Sequence, residues 1–320
     1  MFSYDSTGIK LINHDFWLDA HRKVEFSFVS HGHSDHLKNH DKIIATPPTI
    51  QFHAMRARQK AAIPLTFGQP LAMDDYTLEL YPAGHILGSA MIRIVKDGIS
   101  LLYTGDFKLR ESRTAETIQI PQSDILIMES TFGDPSYVNK ASPERLEHEL
   151  LFFVDECIKY GKRAVVLAYN LGKAQEAMKI LGDARMDVKV HPSAWELAKV
   201  YSHFGITFHN CSPWDGDPLN TGQVLIYPPH LCRNRAFHSI PLKRTVFLSG
   251  WALNNGGNSS ADHSIPISDH ADFEDLLQFV QKVNPQKVYT THGFEQFPAT
   301  LRSCGFDAQL LKTSDQFPLF

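Results

Sequence analysis

Ser30-His31-Gly32-His33-Ser34-Asp35-His36 places four metal-competent side chains within six residues. With 17 histidines in 320 residues, an H-x-H-x-D-H window arises by chance only about a few times in a thousand such chains. It follows Val24-Glu25-Phe26-Ser27-Phe28-Val29, which alternates like a half-buried strand and stops where the histidines begin. Side chains beyond a strand end project into a cleft, where alternate positions can converge on one or two cations. Imidazole with carboxylate suits zinc, or manganese where oxygen donors dominate. A solvated histidine-rich loop is the competing reading, and the tight spacing argues against it.

The same layout recurs along the chain. His85 lies in Ala83-Gly84-His85-Ile86-Leu87-Gly88-Ser89, between strand-like runs at Thr77 to Tyr81 and Ala90 to Val95. Asp106 follows Ile99 to Tyr103 in Thr104-Gly105-Asp106, and Glu129 ends Ile125 to Met128, ahead of Ser130-Thr131-Phe132-Gly133. Later come Ser268-Asp269-His270-Ala271-Asp272 and Thr290-Thr291-His292-Gly293. Each unit is an apolar strand, then a ligand-type residue, usually beside a glycine that lets backbone approach closely. One such residue is ordinarily a cap or turn; the repetition makes coincidence a poor account.

This pattern resembles the metallo-β-lactamase superfamily, and within it the β-CASP nucleases. H-x-H-x-D-H, G-H-x-x-G-S, T-G-D and E-S-T-F-G resemble the superfamily's successive motifs, and His270 and His292 match the two late β-CASP histidines. The bacterial ligase-associated DNA exonucleases are the most similar group, through Glu129-Ser130-Thr131-Phe132-Gly133, Tyr169-Asn170-Leu171-Gly172-Lys173-Ala174-Gln175, Ser249-Gly250-Trp251 and Ser268-Asp269-His270-Ala271-Asp272. The likeness runs from about residue 10 to about residue 295. It implies an α/β fold: an αββα metallo-β-lactamase sandwich with a small β-CASP-like α/β domain inserted. The expected division is 1–133, first part of the sandwich; 134–262, the insertion; and 263–320, its second part.

The resemblance also implies the site. His31, His33 and His85 would hold one divalent metal, Asp35, His36 and His292 a second, and Asp106 would bridge them. Both ions are expected to be zinc, with manganese as the alternative. Together they would activate a hydroxide for in-line attack on phosphorus. Asp35, His270 and Glu129 form the expected catalytic group. His270 would serve the leaving oxygen from the start of a helix over 271–283, and Glu129 would orient its ring. The expected activity is a DNA exonuclease of DNA repair. The alternatives are an RNA-processing β-CASP ribonuclease, towards which His292 taken alone leans, and a small-molecule metallo-hydrolase. Functional association with an ATP-dependent DNA ligase and a helicase is implied by the group alone.

Ser89, Lys173 and Asn254 are expected phosphate contacts, with Asp19 and Ser249 as further polar candidates. Asn170-Leu171-Gly172-Lys173 joins a strand to a helix, where backbone N–H groups and a lysine can hold a phosphate; the spacing is not that of a P-loop. Tyr227-Pro228-Pro229-His230 and Trp251 offer rings that would stack on a base or else sit in a core.

Composition fits a globular cytoplasmic enzyme, with 43% hydrophobic and 21% charged residues. Met1 to Lys10 lacks a signal-peptide layout, no run is long enough to span a membrane, and Cys157, Cys211, Cys232 and Cys304 are too scattered for a disulfide frame. The net charge of -4 permits nucleic acid without arguing for it, since two divalent cations would offset it in the cleft. Basic clusters stand at Arg56, Arg58 and Lys60, at Lys108, Arg110 and Arg113, and at Arg233 and Arg235. Short strands dominate up to residue 133, with one helical stretch near 50–62. A helix capped by Ser142 then opens a strand–helix alternation that reads as a parallel α/β unit. Asn254 to Ser260 reads as a mobile loop.

Overall fold

The computed structural model describes residues 1–254, 261–312 and 316–317, so most of the 254–260 loop lies outside the described residues. The chain forms two compact units: Met1–Glu111, Ala115–Pro135 and His270–Phe320 in the first, Ser112–Thr114 and Ser136–Asp269 in the second.

In the first unit, two seven-stranded sheets face each other. Thr77–Pro82 shows why: every second residue is buried, so one face of the strand is apolar and must be covered. Leu78, Leu80, Ile92, Leu101 and Ile127 from one sheet meet Phe2, Ile9, Phe28 and Ile44 from the other in a single core. Pro47–Arg56 packs on the outside of one sheet through Ile50, against Val29, Ile43 and Ala45. Phe297–Ser303 and Phe273–Val283 lie against the second sheet's side of the unit, with the Phe279 ring tilted against Phe107 at a centroid distance of 4.2 Å. This is the αββα sandwich. Ile125–Ser130 is buried along its whole length because it runs between parallel neighbours, Ile99–Tyr103 and Lys287–Gly293.

Those strands also run the same way as Thr77–Pro82, from which Ala90–Lys96 separates them by two antiparallel pairings. Their carboxyl ends therefore share one edge of the sheet, and His85, Asp106, Glu129 and His292 all come from that edge. His31 to His36 arrive from the other sheet, directly after Phe26–Phe28.

The second unit is a six-stranded, wholly parallel sheet in the order Cys211–Pro213, Asp187–Val190, Gln223–Tyr227, Arg163–Leu167, Lys243–Leu248, His263–Ile265. Separate apolar cores cover its two faces. The unit runs on to Asp269 rather than ending at 262, because His263–Ile265 pairs with Lys243–Leu248 and closes the sheet. Pro143–Lys159 begins as expected, with the Ser142 hydroxyl accepting from the Arg145 N–H at 3.3 Å.

Two helix boundaries move. The stretch near 50–62 is a helix only over Pro47–Arg56, capped by Thr46, after which Ala61–Pro64 joins the sheet edge. The late helix starts at Phe273 because Asp272 caps it, accepting from the Asp275 N–H at 2.9 Å. His270 thus precedes the cap and gains little from the helix dipole. No helix among the described residues is long and apolar enough to cross a membrane.

Candidate metal centre

Asp106 reaches its place through a turn whose backbone lies tight against the Ser30 side chain. Gly105 has φ +53, and a Cβ there would stand 2.5 Å from Ser30 Cβ, so the turn after Tyr103 accepts glycine alone. Gly293 is similar, with φ +103 and Ser130 O only 1.8 Å from a would-be Cβ.

His31 Nε2, His33 Nδ1, His85 Nε2 and one Asp106 oxygen converge within 4.8 Å of one another. His33 Nδ1 stands 3.1 Å from His31 Nε2 and 3.0 Å from His85 Nε2. Asp106 Oδ2 is 3.5 Å from His31 Nε2 and 3.8 Å from His85 Nε2. A tetrahedral zinc with bonds of about 2.0–2.1 Å separates its ligands by about 3.3 Å, inside this range. The donor set therefore fits a zinc-sized cation.

The other Asp106 oxygen faces a second group. Oδ1 lies 3.7 Å from His36 Nε2, which is 3.8 Å from Asp35 Oδ2. This group is looser: the Asp35 side chain is 76% exposed, and the His292 ring centroid is 6.2 Å from that of His36. His292 sits at the rim, in the left-handed region at φ 46, with Ser130 Oγ donating to its carbonyl at 2.7 Å.

Buried partners aim the imidazoles. His31 Nδ1 meets Ser30 Oγ at 2.9 Å and His36 Nδ1 meets Asp19 Oδ2 at 2.8 Å, which turns each Nε2 inward. Burial, then the charges of His36, His85 and His33, hold the His31 ring well below its ordinary pKa, leaving a lone pair for a cation. Burial opposes charge on His36, but the Asp19 and Asp106 carboxylates outweigh it and raise the ring to about 10. Burial pushes Asp106 up to about 6, against the pull of His36.

His270 and Glu129 form a pair, Nδ1 to Oε1 at 2.9 Å, with His270 Nε2 3.9 Å from Asp106 Oδ2. Burial alone would favour a protonated Glu129. The charge of His270 and donation from His270, the Thr131 hydroxyl and the Phe107 N–H instead keep it ionised.

The expected phosphate contacts fare differently. Ser89 is buried and its hydroxyl accepts from the His85 and Ile86 N–H groups at 3.1 and 3.2 Å, so it shapes the His85 loop instead. Lys173 is buried in an ion pair with Asp269, which occupies its charge. Asn254 is exposed and donates to Ser136 Oγ at 3.0 Å, whereas Ser249 is buried and accepts from the Trp251 N–H. Tyr227 is buried and cannot stack on a base; Trp251 is 40% exposed. Arg110 and Arg113, offered as basic surface, are paired with Asp272 and Glu147. Asp19 proves more central than its sequence signal: it accepts from Ser30 N, Ser30 Oγ and Tyr103 OH as well as contacting His36. It too directly follows a strand, Trp17–Leu18, which is the cue that would have promoted it; Ser30, Tyr103 and Thr131 carried none.

Residues 261–304 match the family described as RMMBL, the Zn-dependent metallo-hydrolase RNA specificity domain. The chain is 40% identical, over 98% of its length, to a protein of Opitutus terrae named Probable DNA ligase, and it spans 31% of that relative. It is 26% identical to the Probable RNase MJ4 of Methanocaldococcus jannaschii, over 94% of this chain and 90% of that one. In its fold and in these relatives the chain resembles the β-CASP branch of the metallo-β-lactamase superfamily. The fold is shared by a crystal structure of a protein of unknown function from Enterococcus faecalis V583, at TM-score 0.66 and 16% identity over 92% of this chain and 81% of that one; the likeness speaks for the fold alone.

Proposed function

We propose that the protein is a metal-dependent phosphodiesterase that degrades DNA from an end, in DNA repair. One observation carries the phosphodiesterase reading: Asp106 turns one oxygen towards His31, His33 and His85 and the other towards His36, as a carboxylate shared by two cation positions does. The likeness over 98% of the chain to a protein named a DNA ligase favours DNA. A functional association with an ATP-dependent DNA ligase and a helicase follows from the same reading.

Two divalent cations at these residues, zinc or manganese, would lower the pKa of a water and draw charge from phosphate oxygens. His31, His33 and His85 would hold one, Asp35, His36 and the rim residue His292 the other. Ser30 and Asp19 keep the His31 and His36 nitrogens aimed inward. His270 Nε2 is the proton donor for the leaving sugar oxygen, with its Nδ1 fixed on Glu129 Oε1 at 2.9 Å.

RNA is the second reading, favoured by the RNA specificity domain match over residues 261–304 and by the relative named an RNase. Digestion of matched, end-labelled single-stranded DNA and RNA with zinc or manganese, beside a chelator control, separates the two. Chelator-sensitive release of mononucleotides from DNA, with RNA spared, is the expected result. Preferential cleavage of RNA would move the protein to the processing branch, and activity on neither would overturn both readings.

A further inference from the structure

The chain crosses from the second unit into the first between Asp269 and His270, and the residues around that crossing are pinned one after another. On the second unit's side, Lys173 Nζ is ion-paired with Asp269, and both side chains are only 9% exposed. On the first unit's side, the Ala271 N–H donates to Phe107 O at 2.8 Å, and Arg110 Nη2 donates to Asp272 Oδ2 at 2.8 Å.

A buried ion pair is a poor source of stability, because desolvating two charges offsets most of their attraction; its usual service is to fix a geometry. Here the geometry it fixes is the backbone immediately before His270. Asp269 cannot swing without exposing or stranding its charge, and Lys173 is itself anchored in the first turn of the helix Lys173–Asp183. The Lys173 ammonium also lies 5.5 Å from the centre of the Tyr169 ring, a second contact that holds it in place.

We infer that Lys173 is a positioning residue for His270: through Asp269 it holds the proton-donating ring at the reacting end of the phosphodiester. The inference rests on the reading of His270 as proton donor. It replaces the phosphate-binding role that the sequence suggests for this lysine. The two roles separate kinetically, since a lost phosphate contact raises KM, whereas a misplaced donor lowers kcat.

The test uses the full chain, loaded with zinc or manganese, on end-labelled single-stranded DNA. Lys173→Met alone leaves a stranded carboxylate, so the pair is also removed together as Lys173→Met/Asp269→Asn, which buries no lone charge. The double variant is expected to fold, to retain the parent's metal content and KM, and to lose about 10- to 100-fold in kcat, the cost of displacing a reacting group by about an ångström. In a His270→Ala background the same pair of changes is expected to cost nothing further. Parental kcat in the double variant, a raised KM with unchanged kcat, or an equal loss with and without His270 overturns the positioning role while leaving the reading of His270 intact. A His270→Ala protein with parental kcat overturns that reading itself.

Discussion

Asp19→Ala probes how the centre is supported without touching a proposed ligand. Asp19 is 2% exposed, and removing its carboxylate strips an acceptor from Ser30 N (2.8 Å), Ser30 Oγ (2.5 Å), Tyr103 OH (2.9 Å) and His36 Nδ1 (2.8 Å). Removing one partner of a buried ion pair costs about 3–5 kcal/mol, and this includes the donors left without an acceptor, whose separate penalties of about 1–3 kcal/mol each are not additive. Backbone strain contributes about 1–2 kcal/mol more, because Asp19 has φ 44, which alanine tolerates less well than aspartate or asparagine. The expected loss is therefore roughly 4–7 kcal/mol in metal-stripped protein. Zinc affinity should fall about 10- to 100-fold, as it does when the partner that orients a ligating imidazole is removed.

Urea denaturation of chelator-treated protein measures the first quantity and competition with a zinc chelator the second. The pH dependence supplies a sign. The His36 pKa is raised to about 10, so its contribution is complete below about 6.5 and is lost as pH rises through about 10. The Asp19 pKa is lowered, so its contribution holds above about 3.9 and is lost as pH falls below that. Asp19→Asn should abolish the acid slope and shrink the alkaline one, which Asp106 still sustains through His36, in the metal-stripped protein while costing less than alanine, since asparagine accepts φ 44. An Asp19→Ala protein within about 1 kcal/mol of the parent, with unchanged zinc affinity, would refute the reasoning.

Three other outcomes are expected. Asp106→Ala and His33→Ala should each remove bound metal and bring nuclease activity to background in a protein whose circular dichroism is unchanged; full activity in a metal-stripped Asp106→Ala protein would sink the mechanism. His270→Ala should lower turnover about 10²- to 10⁴-fold with metal content unchanged, as measured by elemental analysis; a lost metal would make His270 a ligand instead. Gly105→Ala forces a Cβ to 2.5 Å from Ser30 Cβ at φ +53, so thermal unfolding should show roughly 2–4 kcal/mol of destabilisation, and a neutral result would mean that the turn relaxes.

Local order determined much of this protein. A strand is legible from its alternation, and a ligand-type residue after a strand is legible from its position, so His31, His33, His36, His85 and Asp106 could be named before any fold existed. Within the strand–helix alternation, Gln223–Tyr227 is legible as a short apolar run and Asp187–Val190 as an alternating one. What depended on contacts between distant residues was not. Lys173 reads as a phosphate hook from its neighbours, yet its charge is taken by Asp269, 96 positions away. Ser89 looks free beside a glycine, yet it turns inward to hold the His85 loop. Asp19 follows a strand as the ligand-type residues do, yet its central part emerges only when Ser30, His36 and Tyr103 close around it. Propensity and period act over a few residues, whereas the partner of a buried polar group is set by which strands become neighbours, and only the folded sheets decide that.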